Sequence, residues 1–267
     1  MAVLGQMCLI AVEEHRPPDL VALRRALARV VPAAPLAIER RVLDVERTGL
    51  VVTLDNVALV VHGAPQRIPE AVYSAAVAGN LFWPAAADAM ARHTATFALG
   101  GIEAPASPGE ARAQSGALTW LAAGLSLTVG GLGVHWEGTG AMTDPERLAR
   151  APSEIEIGAW PVDIWLGYET FAEEGRAGAQ LRLGARTRGA RPYLGCELEL
   201  APAPVAELIE PVRTLFDAAR ALVALGAAVE DGQVFETRSE PRRVWQVRFG
   251  RAGGQQAVGM LIDAEAG

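Results

Sequence analysis

The stretch LVVTLDNVALVV, Leu50 to Val61, decides the fold class. Two runs of β-branched and aliphatic residues, Leu50–Leu54 and Val57–Val61, suit the pleated, half-buried surface of a strand. Between them stands Asp55-Asn56, the residue types a two-residue hairpin turn accepts. The reading is a pair of adjacent antiparallel strands.

Working toward the N-terminus, Leu36–Val45 reads as another strand. Before it lies a helix capped by Asp19, with Leu20, Leu23, Leu27 and Val30 at helical spacing and Arg24, Arg25 and Arg29 on the opposite face. Pro32 and Pro35 end that helix. Val3–Val12 reads as the first strand. Working the other way, helices are expected over Pro69–Ala78 and Pro84–Ala91, then a strand over Thr94–Leu99. The small, polar, Pro-containing segment EAPASPGEARAQSG, Glu103–Gly116, is either a loop or the start of the next helix. It marks the boundary between an N-terminal α+β lobe, 1–104, and a C-terminal α+β lobe, 105–267, unless the two pack as one continuous domain.

The second lobe opens with an apolar helix to Leu127, the strand Gly133–Trp136 and the helix DPERLAR, 144–150. Pro161–Tyr168 reads as a strand from the alternation of Val162, Ile164 and Leu166. Further strands are expected over Gln180–Arg186 and Leu194–Leu200, and a helix from Pro204 or Val205 to Leu225. Val244–Phe249 and Ala257–Ile262 close the chain around a glycine turn at Gly253-Gly254. Strands and helices in this mixed order argue for an α+β fold with mixed, largely antiparallel sheets packed with helices. The second half is a candidate degenerate repeat of the first.

Hydrophobic residues make up 51% of the 267, enough for a substantial core. The net charge of −7 argues against nucleic acid as a partner and favours a basic protein surface. All 24 basic residues are arginine, so lysine Schiff-base and lysine general-base chemistry are excluded. Cys8 and Cys196 read as small buried hydrophobes in strands. The opening MAVLGQMCLIAV lacks a basic leader and a small-residue cleavage site, and no apolar run spans a bilayer. A cytoplasmic protein with no membrane partner is expected.

Catalytic signatures are sparse. Of the histidines His15, His62, His93 and His135, none stands in a motif with a nucleophile, and the six serines avoid the G-x-S-x-G context. No metal-ligand spacing occurs, and GGLGVHWEGTG leads into a strand rather than from a strand into a helix, which does not suit phosphate. The expectation is no catalytic residue, metal or cofactor. The strongest catalytic alternative groups His135, Glu137 and Asp163. Glu197 and Glu199 alternate on a strand, either as its solvated face or as pairs for basic partner residues. Trp136, Trp160 and Trp165 gather in the second lobe near Tyr168, and aromatic residues serve both cores and binding hot spots. The expected partner-binding set is Trp160, Trp165, Tyr168, Glu197 and Glu199.

From about residue 57 onward the chain resembles the bacterial family known as domain of unknown function 4261. The resemblance rests on Gln66-Arg67-Ile68-Pro69, Trp83-Pro84, Arg92-His93-Thr94-Ala95, Gly133-Val134-His135-Trp136, Pro161-Val162-Asp163-Ile164-Trp165, Gly195-Cys196-Glu197-Leu198-Glu199 and Glu230-Asp231-Gly232. Thr96 replaces a second histidine common in the family. The Gly-x-Glu-x-Glu strand with the long helix after it is also similar to bacterial suppressor-of-fused-like proteins. That resemblance implies an immunity-type role, neutralising a toxin or effector domain by binding it in the cytoplasm. A structural component of a secretion or phage-like assembly is the alternative.

Overall fold

A computed structural model describes residues 5–31, 35–42, 48–173, 181–204, 209–237, 242–252 and 256–264. These form thirteen strands and eight helices, an α+β fold with two mostly antiparallel sheets. The deciding hairpin is present: β3 (Thr48–Leu54) pairs with β4 (Val57–Ala64) from Leu50↔Val61 to Leu54↔Val57. Asp55 and Asn56 both take positive φ, 47° and 66°, as a primed hairpin turn demands.

The first sheet has the order β2-β3-β4-β5-β1-β6-β7, built by β1 (Met7–Val12), β2 (Leu36–Val42), β3, β4, β5 (Ala95–Gly101), β6 (Gly131–Trp136) and β7 (Ala141–Thr143). All its pairs are antiparallel. The second has the order β11-β12-β13-β10-β9-β8, from β8 (Gly167–Ala172), β9 (Arg182–Arg188), β10 (Glu197–Pro204), β11 (Val234–Glu236), β12 (Val244–Ala252) and β13 (Gln256–Asp263). Among the described residues of this sheet only β10 and β13 pair in parallel.

One connectivity occurs twice. In the first sheet β1 leads through helix α1 (Leu20–Val30) into the meander β2-β3-β4, and in the second β10 leads through α8 (Ile209–Leu225) into β11-β12-β13. In both, the last meander strand runs parallel to the strand before the helix. In the first sheet β5 is inserted between the two, while in the second they pair directly.

Helix α4 (Pro108–Val129) joins the halves. It starts inside the segment expected at the lobe boundary, where the Ser107 hydroxyl accepts from Glu110 N at 3.2 Å and Pro108 occupies the first turn. The helix is buried on several sides and contributes Ala117, Leu118, Leu121 and Leu125 to a core that runs through both sheets. At Gly124 a β-carbon would stand 2.7 Å from Leu27 Cδ2, so glycine lets α1 approach closely. After α4 the chain returns to the first sheet as β6 and β7. The sheets therefore do not divide at 104/105, and one apolar core continues across that point.

The helix over α1 is capped by Asp19, which accepts from Val21 N and Ala22 N, and it buries Leu23 and Leu27 as its spacing requires. Pro161–Tyr168 is not a strand. Val162–Trp165 form a helical turn, α6, and β8 begins at Gly167. Val162, Ile164, Trp165 and Leu166 are all buried, so the apolar alternation reflected a turn buried on more than one side. Parts of several expected elements fall outside the described residues: the start of the first strand at Val3, Pro32, the end of the strand to Val45, Gln180, the helix start at Val205 and the turn at Gly253-Gly254.

Candidate functional site

A cleft of about 370 Å³ opens between α5 (Pro145–Glu156), α6, α8 and the turn before α3 (Ala86–Arg92). A smaller hollow of about 60 Å³ continues from it, and Phe82, Met142, Asp163 and Phe216 line both. The two form one groove that ends beside Tyr168 and Arg188.

The turn is folded by Asn80. Its Oδ1 accepts from Phe82 N at 3.0 Å and Trp83 N at 2.9 Å, while its Nδ2 donates to Met142 O at 3.1 Å. The Tyr168 hydroxyl donates to Gly79 O and accepts from Leu81 N. These bonds turn Trp83 inward and leave Phe82 45% exposed on the groove wall. Phe82, Tyr168 and Phe216 form a triangle of ring contacts, 6.0 to 6.4 Å between centroids. Helix α2 (Glu70–Ala78) precedes the turn; none of its residues is fully buried, and it presents Val72 to solvent.

The groove floor is ionic. Asp144 caps α5 by accepting from Arg147 N at 2.8 Å. The Arg147 guanidinium then grips two carboxylates. It donates to Asp163 at 2.7 and 2.9 Å and to Glu154 at 2.8 and 2.9 Å. Arg220 donates to Trp160 O, Asp217 and Asp163 at 3.0, 2.8 and 3.2 Å. Burial pushes the Asp163 carboxyl up, but the Arg147 hydrogen bonds and charge, with the Arg220 charge, outweigh it and hold the group below its ordinary value. Arg147 is raised for the reciprocal reason, against its own desolvation. Forked arginine–carboxylate pairs of this kind are rigid and charge-assisted.

The rim differs from the floor. Arg150 on α5 and Arg213 on α8 line the cleft, paired among the described residues only with the exposed Glu146 and Glu210 one turn away. Such surface pairs contribute about 0.3–0.5 kcal/mol. Arg188 on β9 is exposed and makes no ion pair among the described residues.

Comparison with protein-family models, curated proteins and solved structures found no match. The site therefore rests on geometry alone.

The structure does not gather the five residues expected to meet a partner on one surface, although Trp160 and Trp165 are in ring contact at 6.0 Å. Trp165 is 0% exposed, stacked on Tyr193 at 5.6 Å, with Nε1 donating to Thr119 Oγ1 at 2.8 Å. It belongs to the core and cannot be a surface anchor. Trp160 is half-buried behind the groove, with the Arg112 guanidinium 4.9 Å above its ring. Glu197 is turned inward to the 187–190 turn, where it accepts from Thr187 Oγ1, Gly189 N and Ala190 N. Glu199 accepts from Arg186 at 2.6 and 2.8 Å, across the face of the second sheet. Tyr168 alone of the five lines the groove. The residues sequence reasoning missed are Asn80, Phe82, Arg147, Phe216 and Arg220. Helical spacing held a signal for part of the set: Arg213, Phe216, Asp217 and Arg220 fall on one face of α8.

The grouping of His135, Glu137 and Asp163 is not joined by hydrogen bonds. His135 is 3% exposed and neither ring nitrogen has a hydrogen-bond partner, while Glu137 is exposed and Asp163 is held by arginines. His93 is a clamp, with Nε2 accepting from Ile68 N at 2.9 Å and Nδ1 facing Met90 O. Among the described residues no group of three or more His, Cys, Asp or Glu could hold a metal, and no helix is long and apolar enough to cross a membrane.

His135 has a measurable consequence. It shares a sheet face with Leu9 and Met142, beside the groove floor. Burial, then the Arg188 charge, pushes its pKa down to about 4. A depressed histidine pKa means the unfolded chain binds the proton first, so stability is full above about pH 6.5 and falls as the pH drops toward 4. The loss should reach about 2–4 kcal/mol. Urea unfolding of wild type and His135→Met across this range should show the slope in wild type and a flatter profile in the variant. Equal slopes would remove His135 as the cause.

Proposed function

We propose that the chain is a non-catalytic binding protein of the immunity type, which neutralises a toxin or effector domain by holding it in the groove between α5 and α8. The observation that carries this reading is the contrast between floor and wall. The floor charges Arg147, Asp163, Arg220 and Asp217 are already bonded to one another, which suits a rigid platform better than proton transfer. The wall presents the half-exposed Phe82 against Phe216, the arrangement of an aromatic hot spot. The likeness of the Gly195–Glu199 strand and α8 to suppressor-of-fused-like proteins supports the toxin as the partner.

Co-expression with the toxin-like product of an adjacent gene should restore growth and yield an equimolar complex of nanomolar affinity. Rescue by substoichiometric amounts of the chain, or without any stable complex, would mean turnover and end the binding reading. A complex with assembly subunits but no rescue would move the chain to the scaffolding role.

A further inference from the structure

The binding reading leaves the chemistry of the partner open, and the acidity of the whole chain suggests a basic one. The groove itself points the other way. Arg150, Arg213 and Arg188 come from three different elements and border one continuous groove. Their guanidinium groups are not committed to buried carboxylates. Among the described residues Arg150 and Arg213 pair only with the solvent-exposed Glu146 and Glu210 within one turn, and Arg188 has no ion pair. A carboxylate delivered into the groove can displace such weak exposed partners and gain a forked, charge-assisted pair. It cannot displace Asp163 or Glu154 from Arg147, which are held at 2.7–2.9 Å.

The two glutamates that could have met a basic partner are occupied. Glu197 is bonded to the 187–190 turn and Glu199 to Arg186. Phe82, Trp83 and Phe216 add apolar surface to the lining of the same groove. Leu81 in the turn beside Phe82 and Val72 on helix α2 add exposed apolar side chains outside the groove lining, the kind of surface that a protein segment covers.

We infer that the groove receives an acidic segment of a partner protein, with an aromatic or large aliphatic side chain seated against Phe82 and Phe216 and flanking carboxylates on Arg150, Arg213 and Arg188. The inference rests on the binding reading and gives it a charge. An acidic chain would then reach its partner through a local arginine-lined groove rather than through its overall charge.

The test uses the full chain and three fluorescein-labelled peptides in anisotropy titrations at low salt: Glu-Asp-Phe-Glu-Asp, Arg-Lys-Phe-Lys-Arg and Glu-Asp-Ala-Glu-Asp. The acidic aromatic peptide should bind at least tenfold more tightly than either of the others. R150E/R213E should weaken it at least tenfold, and R150Q/R213Q should weaken it less. Both should leave the melting temperature near wild type, since these side chains are exposed. F82A should weaken it several-fold. Preference for the basic peptide, abolished by F82A, would overturn the inferred charge while leaving the groove as a binding site. Binding indifferent to R150E/R213E would overturn the inference as well. If no peptide binds while the toxin complex still forms, the inference alone falls; if the complex also fails to form, the binding reading falls with it.

Discussion

Replacing Arg147 with alanine is expected to destabilise the fold by about 2–3 kcal/mol, because one partner of a half-buried ion network is removed and two carboxylates are left behind. Asp163 and Glu154 each take two hydrogen bonds from this one guanidinium, and its side chain is only 18% exposed. Arg220 still faces Asp163 but reaches it through a single 3.2 Å contact, too little to replace a fork. Arg147→Lys keeps the charge and loses the fork, so it should recover less than half of the loss. Asp163→Asn should cost less than Arg147→Ala, since Arg147 keeps Glu154. Asp163 has a depressed pKa in the fold, so its contribution is present above the ordinary carboxylate value and disappears as the pH falls through the lowered one. That places it below the His135 window, and the two can be told apart in one pH series. The measurement is the urea midpoint with the slope checked for constancy. A change within about 0.5 kcal/mol for Arg147→Ala would mean the network contributes nothing, as many surface pairs do.

The second large effect separates the aromatic residues by role. Trp165→Ala should cost about 3–5 kcal/mol, the range for emptying a buried aromatic site. It removes the stack on Tyr193 and leaves Thr119 Oγ1 without its indole donor. Phe82→Ala should change stability by only about 0.5 kcal/mol, as expected of a surface position. In the complex the order should reverse. Phe82→Ala should lose about 2 kcal/mol or more of affinity as a hot spot, and a conservative Trp165→Phe that still folds should bind as wild type does. If Trp165→Phe weakened the complex while Phe82→Ala did not, the aromatic assignment would have to be exchanged.

Trp165 also shows where sequence reading succeeds and where it stops. Local chemistry was legible where one interaction dominates. Asp55-Asn56 between two β-branched runs reads as a tight turn, and Asp19 with leucines at helical spacing reads as the cap of an amphipathic helix. Those readings carried the α+β class and the antiparallel sheets. At 161–168 the apolar alternation was real, but the next residue along was buried too. A period of two cannot separate a strand from a short turn enclosed on both sides. The groove was mostly illegible because its parts lie far apart in sequence, at 80–83, 142–150, 163 and 213–220. The sequence groups Asp163 with His135 and Glu137, and Tyr168 with Trp160, Trp165, Glu197 and Glu199, and neither grouping contains the groove partners of these two residues. Their partners Arg147, Arg220 and Phe216 become visible only when the chain is folded. Glu197 and Glu199 illustrate the converse: alternation placed them on one strand face, but not the arginine and the turn amides that already occupied them.

The most direct test of the central claim, that this groove is the binding surface, is backbone hydrogen–deuterium exchange on the chain alone and in complex with the proposed toxin partner. Protection on binding should concentrate in residues 79–83, in the first turns of α5 near 144–150, and along α8 from 213 to 220. Protection confined to the outer face of the second sheet, or spread evenly over the molecule, would contradict it.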